Sequence, residues 1–375
     1  MSQFKVVEIA PGESGVQAAM AAVHALFEEE VSLALVPMGD AKAREALRET
    51  EPLHTDEPTL VLCTSGSLGA PKAVELTVTA LGIAATQSAE YLGDQSVWLT
   101  CLPVTSMGGL NTVVRAALAG LAPVIWDGVA GASSFEAEPL LPFLHATIRS
   151  ARKLRQSSAV SLVPTQAHRL SENPETLATL AHFDFVLVGG GALNESTARR
   201  LREAEVNVIR TYGATETCGG VVYDGKPLST VAVKVDDDGQ LLIDSLSLAT
   251  CYRDGTPIAS PWPTGDLGTV VNGIVSVNGR VDDVIKVAGQ KVDLAALAAL
   301  VGALPGVDAA AAASAPHAEY GSVPVIAYSG AVSAEAVEEL VRAADFGRLP
   351  LRVRRVESLP LLPNGKPDRV AIAAL

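Results

Sequence analysis

The residue types and spacings best suited to chemistry fall in five short segments of this chain. Thr64-Ser-Gly-Ser-Leu-Gly-Ala-Pro-Lys72 follows an apolar run that ends at Cys63. Gly66 and Gly69 let the backbone turn tightly and aim its N–H groups at a phosphate. Ser65 and Ser67 add hydroxyls, and Lys72 adds positive charge. The kinase pattern GxxxxGK[ST] is not matched, because Lys72 follows Pro71 and precedes Ala73. Taken alone, a Gly/Ser stretch after a strand is equally an ordinary turn. Tyr212-Gly-Ala-Thr-Glu-Thr217 offers a ring to stack on a base, a hydroxyl for a phosphate and, in Glu216, a carboxylate for Mg²⁺. It reads just as well as a turn whose Thr215 or Thr217 satisfies backbone donors. Gly189-Gly190-Gly191 lacks side chains and would let a flat base approach the backbone. In Thr264-Gly-Asp-Leu-Gly268, Asp266 could accept two ribose hydroxyls, and Arg280, opening Gly279–Gly289, could reach a hydroxyl or a phosphate. Pro363-Asn-Gly-Lys-Pro367 projects Lys366 from the C-terminal end, where a lone lysine is ordinarily a solvated one.

Elements that would position these segments are legible as alternation. Leu33–Pro37, Thr59–Cys63, Val97–Thr100, Pro123–Trp126, Ala159–Leu162, Asp184–Val188 and Asn207–Thr211 read as buried strands. Thr77–Leu92, Leu110–Leu121, Thr165–Leu170 and Glu195–Glu205 lie between them as helices, so a mainly parallel sheet covered by helices is expected. From Thr230 onward, short strands with Gly and Asp turns suggest antiparallel pairing: Val231–Val235, Leu241–Asp244, Thr269–Val271 and Ile274–Val277. After Arg280 a small α+β unit follows. The expected fold is therefore α/β, with a boundary at Arg280–Asp283 dividing residues 1–281 from 282–375.

Composition narrows the partners. A formal charge of −14 repels nucleic acid and anionic membranes over long range. The start has no basic head followed by an apolar core, so no signal peptide is expected. Leu294–Val307 is broken by Gly302, Pro305 and Gly306, and falls short of the roughly 20 residues a membrane span needs. Cys63, Cys101, Cys218 and Cys251 are far apart and form no CxxC pair, which suits buried free thiols in a reducing, cytoplasmic setting.

Together, in this order, the segments resemble the core motifs of the adenylate-forming superfamily: acyl- and aryl-CoA synthetases, peptide-synthetase adenylation domains and luciferase. The likeness rests on TSGSLGAPK, YGATE, TGD, GRVDDVIKVAG and PNGK, and runs from about Val61 to the C-terminus. Val160–Arg169 (VSLVPTQAHR) and Tyr212–Gly225 (YGATETCGGVVYDG) are in turn similar to the actinobacterial o-succinylbenzoate–CoA ligases of menaquinone biosynthesis. What the resemblance implies is a large N-terminal AMP-binding domain, shortened relative to the family, with a small mobile C-terminal domain. It also implies a two-step reaction using ATP, Mg²⁺ and coenzyme A.

The resemblance assigns roles residue by residue. Thr64, Ser65, Gly66, Ser67, Gly69 and Lys72 would hold the β- and γ-phosphates, Thr215 the α-phosphate and Glu216 the Mg²⁺. Tyr212 and Gly189–Gly191 would flank adenine, with Asp266 and Arg280 on the ribose. Lys366 would bridge the acid and the α-phosphate during adenylation. Asp282 would be the hinge, bringing the Gly289 loop to coenzyme A. Two departures stand out: Leu68 replaces a loop hydroxyl, and Val104–Gly109 replaces the usual His or aromatic pair after Pro103. A diacid would need donors for its second carboxylate, and Ser106, Gly108, Gly109, Arg115 and His168 are the candidates. The expected partners are a small carboxylic acid and coenzyme A, with neither nucleic acid nor stable membrane insertion, and a possible homodimer. The competing readings are another aryl- or acyl-CoA synthetase, an enzyme loading a carrier protein, and a catalytically silent nucleotide-binding homologue.

Overall fold

The apolar runs at 33–37 and 59–64 become strands Leu33–Pro37 and Thr59–Thr64, buried along most of their length because helices cover both faces of their sheet. They belong to a computed structural model that describes residues 4–28, 30–64, 71–93, 95–133, 135–287, 290–344, 350–361 and 367–375. Strands Lys5–Ile9, Leu33–Pro37 and Thr59–Thr64 run parallel in one sheet, and Lys72–Thr77 and Cys251–Tyr252 continue it antiparallel. A second sheet runs Lys226–Pro227, Gly219–Tyr223, Val208–Ala214, Phe185–Val188, Ser157–Leu162, Ser96–Thr100, Val124–Ile125. Its last five strands are parallel and its first two antiparallel.

By its internal contacts the chain forms two units. The first comprises Met1–Val233, Ile243–Trp262 and Asn272–Val275, the second Lys234–Leu242, Pro263–Val271 and Ser276–Leu375. In the first, helices Glu13–Glu28, Val78–Leu92, Met107–Leu118 and Ala137–Leu154 bury Val23, Leu81, Leu110 and Leu144 in one core with Leu35, Leu62, Leu99 and Val160. Local chemistry sets the helix ends. The Thr77 hydroxyl accepts from the Ala80 amide at 3.1 Å, and Gly93 closes the same helix in the left-handed region. In the second unit, Val307–His317, Gly321–Gly330 and Arg352–Arg355 form a three-stranded sheet. Helices Leu294–Gly302 and Ala334–Ala343 pack Leu297, Val301, Val337 and Val341 against Ile326 and Tyr328. The α/β class with a small C-terminal α+β part is the one expected. No helix among the described residues is long and apolar enough to cross a membrane.

Three differences from expectation bear on the site. The helix expected from Leu110 begins at Met107, after Ser106 in extended backbone, and within its first turn a Cβ on Gly109 would lie 2.2 Å from the Pro103 carbonyl. The strand expected to stop at Thr211 continues to Ala214, drawn out by its antiparallel partner Gly219–Tyr223. The strand expected at Thr269–Val271 starts at Trp262, which places the TGD segment inside a strand beside Ile274–Arg280. The four thiols are free, with Cys101, Cys218 and Cys251 buried and Cys63 half-buried. Burial pushes Cys63 and Cys101 up to about 12.

Candidate active site

Thr215 and Glu216 sit in the tight turn that joins Val208–Ala214 to Gly219–Tyr223, where Gly219 lies opposite Ala214. Thr217, fully buried, ties the turn together. Its hydroxyl accepts from the Ala214 amide at 2.9 Å and donates to the Gly219 carbonyl at 2.6 Å. Gly219 has φ +112°, and a Cβ there would fall 2.1 Å from Asn111 Nδ2, which donates to the Cys218 carbonyl. Only glycine fits both constraints. From outside the turn, the Ser247 hydroxyl donates to the Thr217 carbonyl at 3.1 Å and the Ala249 amide to the Glu216 carbonyl at 2.7 Å.

The Glu216 carboxylate accepts from the Tyr252 hydroxyl at 2.9 Å. Burial first, and the Glu216 charge second, raise the Tyr252 phenol above its ordinary range, so it remains a neutral donor. Among the described residues no lysine or arginine forms an ion pair with Glu216 (side-chain N–O within 4.0 Å). Its oxygens are hard donors, so this donor set fits Mg²⁺. Lys72 stands at one foot of the phosphate segment, paired in register with Thr64, whose hydroxyl donates to its carbonyl at 3.3 Å. The Lys72 ammonium lies 5.2 Å above the Tyr252 ring. Ser65, Gly66, Ser67 and Gly69 lie outside the described residues, as do Gly289 and Lys366. Leu361 and Pro367, either side of the Lys366 segment, form an antiparallel bridge.

The remaining candidates divide. Gly189 follows strand Phe185–Val188, and a Cβ there would meet the Thr211 hydroxyl at 2.3 Å, so close packing alone requires that glycine. At Gly191 a Cβ would only touch Pro164 at 3.5 Å. Tyr212 is half-buried in the strand. Ser106 donates its hydroxyl to the Pro103 carbonyl at 2.7 Å, while Gly108 and Gly109 occupy the first turn of helix Met107–Leu118. Arg115 lies 4.8 Å over the Trp98 ring and donates to Tyr223 at 3.0 Å. His168 pairs through Nδ1 with the Thr197 hydroxyl at 2.9 Å.

In the second unit, Arg280 donates from Nη1 to Asp266 and from Nε to Asp282, both at 2.8 Å. Burial alone would raise the Asp282 carboxyl, but the Arg280 guanidinium outweighs it and holds it below the usual carboxylate range. Asp283, buried beside it, pairs with Arg369 at the start of helix Arg369–Ala373.

Motif reasoning did not find Tyr252, which lies in none of the five segments. It also missed a cavity of about 830 Å³ beside Lys72, lined by Lys42, Arg48, Arg253 and Asp254 among others. Lys42 and Arg48 come from the first 60 residues, where no chemical pattern was visible. Arg253 is buried at 1% exposure and bonds the Leu47, Arg48, Glu51 and Pro52 carbonyls as well as Glu75.

The family model for AMP-binding enzymes matches residues 8–245, which extends the likeness upstream of Val61 through most of the first 60 residues. The chain belongs to the AMP-binding enzyme family. It is 32% identical over 355 residues to a probable 2-succinylbenzoate–CoA ligase of Mycobacterium tuberculosis, covering 91% of this chain and 90% of that one. Its fold is that of o-succinylbenzoate coenzyme A synthetase from Bacillus subtilis. In complex with ATP and magnesium, that enzyme superposes with TM-score 0.74 at 21% identity, covering 98% of this chain and 89% of that one. In complex with its acyl-adenylate intermediate the TM-score is 0.73, also at 21% identity, with coverage of 98% and 87%.

Proposed function

We propose that this protein is an ATP-dependent carboxylate–CoA ligase, acting in the cytoplasm on o-succinylbenzoate. The observation that carries the reading is the 32% identity to the M. tuberculosis ligase across 91% of the chain. In the first step a carboxylate oxygen of the acid attacks the α-phosphorus of ATP. The bond to the β-phosphate bridging oxygen breaks, and pyrophosphate leaves. In the second, the coenzyme A sulfur attacks the carbonyl carbon of the acyl-adenylate, AMP departs and the thiol proton goes to solvent. An ionised acid needs no general base, so the first step asks for positioning and charge neutralisation.

On this reading Thr215 bonds the α-phosphate and Glu216 holds Mg²⁺, which would neutralise phosphate charge. The locked turn around Thr217 supports these roles by fixing both residues on rigid backbone. Lys72 faces the phosphates from the end of its strand, and Asp266 with Arg280 takes the ribose. Lys366 serves adenylation, and Asp282, in the short turn Val281–Asp283, is the hinge between residues 1–281 and 282–375.

The test is a thioester-formation assay with o-succinylbenzoate and with 4-oxo-4-phenylbutyrate, which lacks the aromatic carboxylate. A site with donors for both carboxylates loses on the order of 10²-fold or more in kcat/KM on the analogue, because those donors are left unpaired. Comparable values for the two acids would return the enzyme to the wider class of acyl- and aryl-CoA ligases.

A further inference from the structure

We infer that Tyr252 is a positioning residue for the metal-binding carboxylate of Glu216 and acts through its hydroxyl. The inference rests on the reading above, in which Glu216 holds Mg²⁺. Tyr252 is placed from two sides. Its short strand Cys251–Tyr252 runs antiparallel to Lys72–Thr77, with Tyr252 opposite Val74. Two residues before that strand, the Ala249 amide is bonded to the Glu216 carbonyl. The phenol and the carboxylate are therefore held to each other through backbone as well as through the 2.9 Å side-chain bond.

Hydrogen-bond chemistry fixes the direction of that bond. An ionised carboxylate can only accept, so the phenol hydrogen points at Glu216. One lone pair of Oε1 is thereby taken, and the rest of the carboxylate is left in a fixed orientation for a cation. A neutral donor orients the group without cancelling its charge, as an arginine would. The Lys72 ammonium lies over the face of the same ring instead. Nothing in the five sequence segments marks Tyr252 for this task.

Tyr252→Phe separates the hydroxyl from the ring, since it keeps the surface beneath Lys72. The direct readout is Mn²⁺ affinity, measured by electron paramagnetic resonance in the presence of α,β-methylene ATP. Partners of metal-binding groups typically matter by about 10- to 100-fold in metal affinity, and weakening in that range is expected here. The Mg²⁺ requirement of adenylation should rise in parallel, with the maximal rate recovered at saturating metal. Thioester formation from supplied acyl-adenylate should be unchanged. Glu216→Gln is the reference. If it weakens Mn²⁺ binding while the Tyr252→Phe variant binds like the parent, the inference is overturned and the role of Glu216 stands. If Glu216→Gln itself binds Mn²⁺ like the parent, the metal assignment falls and takes the inference with it.

Discussion

Thr217→Val isolates what the turn beneath Thr215 and Glu216 contributes. Valine matches threonine in shape, so the change deletes a hydroxyl and little else. That hydroxyl accepts from the Ala214 amide at 2.9 Å and donates to the Gly219 carbonyl at 2.6 Å, in a residue with no exposed surface. Each backbone group left without its partner costs about 1–3 kcal/mol, so a loss of about 2–4 kcal/mol in unfolding free energy is expected. Urea titration reads this as a lower midpoint at unchanged slope. The catalytic consequence is larger than the stability change suggests, because the same turn places both candidate catalytic residues. A misplacement of about 1 Å can cost on the order of 10²-fold in rate, and ATP–pyrophosphate exchange should fall to that extent. Thr217→Ser keeps the hydroxyl and should recover most of both quantities. A valine variant within about 0.5 kcal/mol of the parent, the ordinary range of a neutral surface change, and with full exchange activity would refute the reasoning.

Two further outcomes follow from the geometry and from the proposed mechanism. Arg253→Ala takes the buried guanidinium from the fully buried Glu75, leaving it beside His54 and Cys251, and should destabilise the protein by about 3–5 kcal/mol. In thermal or urea unfolding, the double change Arg253→Met with Glu75→Leu should cost less than Arg253→Ala alone, and the reverse order would contradict the buried-charge argument. Lys366→Ala should slow adenylate formation by about 10²–10³ while sparing thioester formation from supplied acyl-adenylate. Equal damage to both half-reactions, measured separately, would remove the assignment of Lys366 to the first step.

Much of the fold was legible because buried strands and amphipathic helices announce themselves by local periodicity, as at Thr59–Thr64 and Val78–Leu92. What escaped depends on pairing between distant residues. Tyr212 reads as the residue after a strand, and only its partner Val222 across the hairpin shows that the strand continues. Asp266 and Arg280 read as two independent ribose candidates, yet they lie on neighbouring strands and bond each other directly. The alternative reading of the Tyr212 segment, a turn in which a threonine satisfies backbone donors, is met by Thr217. That structural duty and the proposed catalytic roles of Thr215 and Glu216 are compatible, since the one fixes the backbone that the others need. Tyr252 was invisible for a different reason: its partner Glu216 is far along the chain, and a tyrosine after a cysteine carries no local pattern.

The same distinction bears on how the proposed diacid would be recognised. Of the side chains weighed for its second carboxylate, Ser106 donates to the Pro103 carbonyl, Arg115 is packed between Trp98 and Tyr223, and His168 pairs with Thr197 on another helix. Recruiting Ser106 means breaking a bond that is already made, whereas Arg115 keeps its buried Nε without a hydrogen-bond partner. The amides of Gly108 and Gly109 are in a different position. They lie in the first turn of helix Met107–Leu118, where amides have no partner within the helix and the helix dipole favours an anion. Gly108 is exposed, whereas the side of Gly109 that a Cβ would occupy is filled by the Leu102 and Pro103 carbonyls. A carboxylate bound there would be recognised by main chain, so its donors would be set by where the helix begins. On the proposed reading, a carboxylate held there would need no cationic side chain, and a search for one would pass over it.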